Sequence, residues 1–201
     1  YLIDNPDFVA CHNPSYVTRY EILEGIKDGG IFLLNSPWSA QEMEERLPAS
    51  LKNTIARKHL RFYNCDAVKV AGEAGLGGRI NMVMMAAFFK LSGVIPYEDA
   101  EKYMKQAVKK TYGKKGDDIV NMNNAAIDNA ISSLTEIPVP ESWATTTEGA
   151  APVRITGNEF VNTVVRPIMH QQGDTLPVSA FDAAGRFPLG TSRFEKRGIA
   201  V

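Results

Sequence analysis

Cysteine is scarce in this chain. There are two, Cys11 and Cys65, on separate strand-like segments. Neither belongs to a CxxC or ferredoxin-type run, so this segment alone ligates no iron–sulfur cluster and no structural zinc. A disulfide between them is poorly motivated without secretory features, and they read as reduced cysteines acting as small hydrophobes. Histidine is also thin: His12, His59 and His170 lie in different settings and make no metal-ligand spacing. No charge of one sign prevails. The 22 basic and 23 acidic residues give a formal net charge of -1, so no nucleic-acid or membrane partner is expected. No apolar run approaches the roughly 20 residues of a membrane span, and no signal peptide is seen. The expectation is a cytoplasmic protein. Catalytic signatures are missing as well. There is no GxSxG elbow, and the paired acids Glu44-Glu45 and Asp117-Asp118 read as surface charge. The sequence reads as a binding domain rather than the bearer of chemistry.

What is present is an ordinary core-forming composition. Apolar residues make up 44% of 201 residues, enough for one domain with an appendage. The first residue is Tyr1, so the chain reads as a piece of a longer protein. Phe8-Val9-Ala10-Cys11, Ile31-Phe32-Leu33-Leu34 and Arg61-Phe62-Tyr63-Asn64-Cys65 are compact runs of the kind found in buried strands. Pro14 suits a helix start, and the pattern predicts a helix burying Tyr16, Val17, Tyr20, Ile22, Leu23 and Ile26, stopped by Gly29-Gly30. Ser39 and Asp66 stand as helix caps for helices carrying Met43 and Leu47 and over 67–74, with a further helix over 51–59.

The middle of the chain is helical. Residues 81–91 are apolar on nearly every face, as for a buried helix. Over 97–110 one face carries Ala100, Tyr103, Met104, Ala107 and Val108. Over 117–134 it carries Ile119, Met122, Ala126, Ile127, Ala130, Ile131 and Leu134. Lys109-Lys110 and Lys114-Lys115 read as solvated lysines at a helix end. After Leu134 the prolines and threonines describe an extended, poorly packed segment. One more helix is predicted over 159–171, kinked by Pro167, and from Gly173 onward the chain reads as an arm. The predicted fold is α/β: a mostly parallel sheet with helices on both faces, followed by an extended C-terminal arm. The boundary is placed between 1–150 and 151–201.

The stretch Gly75-Leu76-Gly77-Gly78-Arg79-Ile80-Asn81 carries the strongest functional signal. Its glycines let the backbone approach a ligand closely. The helix that follows offers free N–H groups and a positive dipole end, and Arg79 adds a fork of donors suited to phosphate. The spacing is neither the dinucleotide fingerprint nor a P-loop. The alternative is a tight packing loop with Arg79 in solvent. Parallel sheets bind ligands at the carboxyl ends of their strands. Three polar loops are assigned there: one starting at His12 and Asn13, one over Asn35-Ser36-Pro37-Trp38, and the glycine loop. His12 is a candidate base, against the alternative of a loop histidine bonded to backbone.

Several stretches resemble one family. They are Asp7-Phe8-Val9-Ala10-Cys11-His12-Asn13-Pro14-Ser15-Tyr16, Leu33-Leu34-Asn35-Ser36-Pro37-Trp38, the run from Gly75 to Met82, Lys109-Lys110-Thr111-Tyr112-Gly113-Lys114-Lys115-Gly116, and the ending from Gly190 to Val201. All occur in this order in pyruvate:ferredoxin (flavodoxin) oxidoreductases, and the chain is similar to their central, gamma-subunit-like domain and the following linker toward a ferredoxin-like domain. The resemblance implies a part of an oxidoreductase that converts pyruvate to acetyl-CoA and carbon dioxide and passes electrons to ferredoxin or flavodoxin. It implies thiamine diphosphate with Mg2+ and iron–sulfur clusters on other domains, none bound by this fragment alone, and a homodimeric enzyme. It also implies that this domain helps bind coenzyme A, with Gly77, Gly78, Arg79, Asn81, His12 and Asn13 as candidate contacts. In the family a segment before Tyr1 supplies a first strand and a glycine-rich loop. A glutamine is frequent in the family where this chain has Met85. The competing readings are a non-catalytic assembly domain, or the equivalent domain of another 2-oxoacid oxidoreductase.

Overall fold

The computed structural model describes residues 3–151, 158–169 and 172–194. The chain forms two compact units, Tyr1–Ala151 and Pro152–Val201.

In the first unit, three short runs become parallel neighbours. Strands β1 (Phe8–Cys11), β2 (Ile31–Asn35) and β3 (Arg61–Cys65) pair in that order, with Phe8 opposite Ile31 and Ile31 opposite Arg61. A two-residue strand, β4 (Thr135–Glu136), pairs antiparallel on the free edge of β3. Alternation along β2 divides the core. Phe32 and Leu34 join one cluster with Met43, Leu47, Leu51 and Ile55, from helices α1 (Ala40–Arg46), α2 (Ala49–Arg57) and the link between them. Leu33 joins the other with Val70, Val83, Met84, Met104 and Ile127, from α3 (Ala67–Glu73), α4 (Asn81–Ser92), α5 (Tyr97–Tyr112) and α6 (Asp117–Ala130). The sheet is covered on both faces, as predicted.

The caps explain where helices begin. Ser39 accepts the Glu42 N–H while the Glu42 carboxylate accepts the Ser39 N–H, a reciprocal box. Asp66 accepts the Lys69 N–H at 3.0 Å. At the other end of α4, Gly93 takes the left-handed conformation with φ 62°, which closes the helix without a Cβ penalty.

Four expectations need correction. The segment after β1 is a 3-10 turn, Pro14–Thr18, succeeded by further turns. Its β-branched and aromatic residues are weak helix formers. Gly25 turns the chain at φ +71°, where a Cβ would sit 1.9 Å from the Asp4 carbonyl oxygen. Val17, Leu23 and Ile26 are buried as predicted, but Tyr16 is exposed. On α5 only Ala100, Met104 and Val108 are buried. Tyr103 and Ala107 face solvent, because α5 packs against α4 and α6 through a narrower stripe. Helix α4 is less completely buried than expected: Val83, Met84, Ala86 and Ala87 are buried, but Met85 is exposed and Phe88 and Phe89 are half-buried.

The fourth correction is the largest. The segment after Leu134 is packed, not loose. Ile137 and Trp143 are buried, and the Ile137 N–H bonds the Phe62 carbonyl. Helix α2 grips residues 143–146: Asn53 Nδ2 donates to the Trp143 and Thr146 carbonyls, and Arg57 Nε to that of Ala144.

In the second unit the predicted helix forms in part. Residues 159–160 are helical, Val161–Val165 widens to a π-helix, and α7 (Arg166–Met169) continues it. The Arg166 N–H reaches back to Val161 O, five residues earlier. Pro167 lacks an N–H and crowds the preceding turn, which accounts for the wider turn just before it. His170 and Gln171 lie outside the described residues, as do 195–201. The arm over 172–194 is built of short 3-10 turns and leaves Val178 and Leu189 exposed.

Candidate functional site

The carboxyl ends of β1, β2 and β3 share one rim because the strands are parallel. A buried polar ladder fixes it. Asn35 is 3% exposed; its Nδ2 donates to the His12 carbonyl at 2.8 Å and its Oδ1 accepts the Ala67 N–H at 2.9 Å. Ser36 Oγ donates to Asn64 Oδ1 at 2.8 Å, and Asn64 Nδ2 donates to the Ser36 and Trp38 carbonyls. Two amides, one ending β2 and one in β3, thus tie together the loops after β1 and β2 and the start of α3. The sequence offers a signal for this, polar residues ending apolar strands, but Asn64 is not among the candidate residues it yields.

Two adjoining cavities open on this rim and share Pro14. One, of about 530 Å³, is walled by the Pro14–Thr18 turn, Trp38, Arg46 and Ala150. The other, of about 330 Å³, is walled by Asn35, Ser36, Pro37, Asp66 and Val68. His12 and Asn13 sit at the rim without lining either cavity. The Asn13 side chain accepts the Ser15 N–H at 3.0 Å and caps the turn; the His12 backbone carbonyl accepts from Asn35.

The glycine loop is placed differently from expectation. It leaves the end of α3, not a strand, about 10 Å along the helix from the rim at 1.5 Å per residue. Gly75 (φ +83°) packs on α6, where a Cβ would meet Met122 Sδ at 3.3 Å. Leu76 is buried and anchors the loop. Gly77 (φ +61°) and Gly78 face open space. Arg79 and Asn81 are exposed, and among the described residues the Arg79 guanidinium has no ion pair or hydrogen bond. Ile80 occupies the N-cap of α4 and supplies no side-chain cap. The structure therefore brings Gly77, Gly78, Arg79 and Asn81 together on one exposed shoulder, and places none of them in the lining of the two rim cavities.

Neither cysteine is poised to react. Cys11 Sγ donates to the Asn13 carbonyl at 3.1 Å, and burial pushes its thiol up to about 11 against that hydrogen bond. Burial also raises Cys65, whose Sγ lies 3.0 Å from Ser133 Oγ. They stand on strands separated by β2, roughly 10 Å apart at two strand spacings, beyond disulfide reach. Alkylation by iodoacetamide at pH 8 is therefore expected to modify neither thiol in the native protein and both in denaturant. Rapid native labelling of either would contradict the burial described. Among the described residues no group of three or more His, Cys, Asp or Glu is placed to hold a metal ion, and no helix is long and apolar enough to cross a membrane.

Comparison with known proteins gives a consistent result. Residues 1–133 match the family model described as pyruvate ferredoxin/flavodoxin oxidoreductase, and residues 146–200 match a domain of unknown function. The chain is 60% identical over 201 residues to pyruvate:ferredoxin oxidoreductase of Moorella thermoacetica, covering 100% of this chain and 17% of that protein. It is 47% identical over 203 residues to the pyruvate-flavodoxin oxidoreductase of Klebsiella pneumoniae, again covering 100% of this chain and 17% of the relative. Against the mitochondrial pyruvate dehydrogenase [NADP(+)] of Euglena gracilis it is 43% identical, covering 100% of this chain and 11% of that protein. The chain thus spans about a sixth or less of the length of these relatives. Among solved structures, the PORC subunit of pyruvate oxidoreductase from Thermotoga maritima superposes with a TM-score of 0.52 at 18% identity, covering 66% of each chain, which supports the α/β fold. By these matches the chain belongs to the pyruvate ferredoxin/flavodoxin oxidoreductase family.

Proposed function

We propose that this chain is the gamma-like segment of a cytoplasmic, homodimeric enzyme that oxidatively decarboxylates pyruvate to acetyl-CoA and carbon dioxide, with ferredoxin or flavodoxin as acceptor. The observation that carries this reading is identity of 60% along the whole chain to a relative named for that reaction. In this reading thiamine diphosphate with Mg2+ supplies the electron sink for decarboxylation and iron–sulfur clusters carry single electrons, both held by other domains.

The chain's own contribution is to bind coenzyme A and to position neighbouring domains. Support comes from the shoulder at the start of α4. Gly77 and Gly78 leave space beside the backbone, Arg79 projects a planar cation that has no partner among the described residues, and Asn81 adds an amide. A phosphate seated there would accept charge-assisted hydrogen bonds from Arg79 and meet the positive end of a 12-residue helix. His12 and Asn13 shape the rim at the strand ends through their backbone and capping bonds, and in this reading they are contacts separate from the glycine shoulder.

The test is an assay of the full-length polypeptide with pyruvate, coenzyme A and a protein acceptor. Acceptor reduction that requires both pyruvate and coenzyme A, with acetyl-CoA as product, is expected. Turnover that ignores coenzyme A, or none with pyruvate, would refute the reading.

A further inference from the structure

The paired register of β1 and β2 ends at Cys11 opposite Leu34. The next rung would join His12 to Asn35, and a side chain takes the place of the backbone there: Asn35 Nδ2 donates to the His12 carbonyl at 2.8 Å. On its other side Asn35 is still in register with β3, opposite Cys65. Its Oδ1 accepts the Ala67 N–H at 2.9 Å, one of the donors that the first turn of α3 leaves without a helical partner. One planar amide thus sets the chain after β1 against the start of α3. The task needs a donor and an acceptor on one short, neutral group. Asp would set a carboxylate against the His12 carbonyl. Leu, the residue at the two preceding positions, would leave both backbone groups without their partner.

The chain that Asn35 holds is fixed at a second point. The Asn13 carbonyl accepts from Cys11 Sγ at 3.1 Å and from the Tyr16 N–H at 3.0 Å. Two consecutive carbonyls are pinned, while His12 is exposed and its imidazole has no partner among the described residues. A ring carried on a backbone already held in place requires no loop ordering when a ligand meets it. The neighbouring amide, Asn64, bonds Ser36 and Trp38 and does not reach His12. The two buried amides of the rim therefore hold different loops.

We infer that Asn35 is a positioning residue that acts through His12. Its amide fixes the backbone from which the imidazole projects, and it works by holding that loop rather than by touching a ligand. This rests on the function proposed above, in which His12 contacts coenzyme A.

The experiment is a double-mutant cycle in the full-length enzyme, read as KM and kcat for coenzyme A. His12→Ala and Asn35→Ala should each raise KM by about 2–10-fold, the worth of one hydrogen bond, with a smaller effect on kcat. In the His12→Ala background, Asn35→Ala should add little, because the group it positions is gone. Asn64→Ala loosens the adjoining loop without touching His12, so its effect should add to that of His12→Ala. Asn35→Asp keeps the acceptor for the Ala67 N–H and loses the donor to His12, and it should raise KM as Asn35→Ala does. If the Ala variant does not fold, Asn35→Ser carries the same cycle.

Full additivity of the Asn35 and His12 changes would overturn the inference. So would an Asn35→Ala enzyme with a lowered urea midpoint and an unchanged KM, which marks a purely structural role, or an Asn35→Asp enzyme that matches the unmodified one. An unchanged KM for His12→Ala alone would instead remove the rim contact from the proposed function, and the inference with it.

Discussion

Trp143→Ala is expected to destabilise the first unit by about 3–5 kcal/mol, the usual range for removing a large buried aromatic. Trp143 is 2% exposed. Its ring lies 6.4 Å from Phe62, which stacks on Phe32 at 5.1 Å, so it extends a row of aromatics across one face of the sheet. It also completes a polar group. Its Nε1–H donates to Glu44 Oε2 at 2.5 Å. Lys52, wholly buried, donates from Nζ to the Glu44 backbone carbonyl at 2.8 Å and to Oε1 at 3.2 Å, and its ammonium stands 5.8 Å from the indole centroid. Deleting the ring leaves a cavity and strips a buried cation of part of its surroundings. Trp143→Phe should keep most of the packing and lose one hydrogen bond, at a cost of roughly 1–2 kcal/mol.

The same contact predicts a pH dependence. The Trp143 hydrogen bond is the main cause holding the Glu44 carboxyl below its ordinary range, opposed by desolvation and aided by Lys52. Its folded-state value therefore lies below the unfolded one. The contribution is present above the unfolded value and is lost as pH falls through the folded one, so the gap between the unmodified protein and Trp143→Phe should narrow in acid. Trp38 remains as a fluorescent reporter for urea denaturation. A midpoint change equivalent to less than about 1 kcal/mol for Trp143→Ala, well under the range for a buried aromatic, would show that the segment is not held as described.

Legibility in the sequence tracks the strength of local signals. The three parallel strands are dense apolar runs with clear ends, and Ser39 and Asp66 are caps that depend on neighbours three residues away; both kinds of signal are local. The packing of the segment after Leu134 is hidden because its partners are remote. β4 pairs with a strand some 70 residues earlier, and Asn53 meets Trp143 across 90 residues of chain. The burial of Lys52 is hidden for the same reason, since its acceptors belong to Glu44 and its ring to Trp143. The turn after β1 is obscured differently: an apolar stripe at helical spacing also fits a series of turns when a glycine must hold a positive φ, as Gly25 does. At the site, the residues of the glycine shoulder are legible from composition alone. Their separation from the strand ends is not, because it depends on where α3 stops.

Arg79→Ala in the full-length enzyme should raise KM for coenzyme A by about one to two decades. One charge-assisted hydrogen bond is worth roughly 1.5–3 kcal/mol, and an exposed arginine with no protein partner among the described residues has no compensating interaction to regain. Arg79→Lys restores the charge without the planar fork and should recover only part of the loss. Stability should change little, since the side chain is exposed.

The proposed role of this chain is to supply contacts to coenzyme A, and the most direct measurement separates the two half-reactions in the Arg79→Ala enzyme. Reaction with pyruvate alone, followed before coenzyme A is added, should proceed at the unmodified rate, while the coenzyme A concentration giving half-maximal turnover shifts upward by about 10–100-fold. Unchanged coenzyme A dependence together with lowered stability would contradict that role and make the glycine shoulder a packing element of an assembly domain.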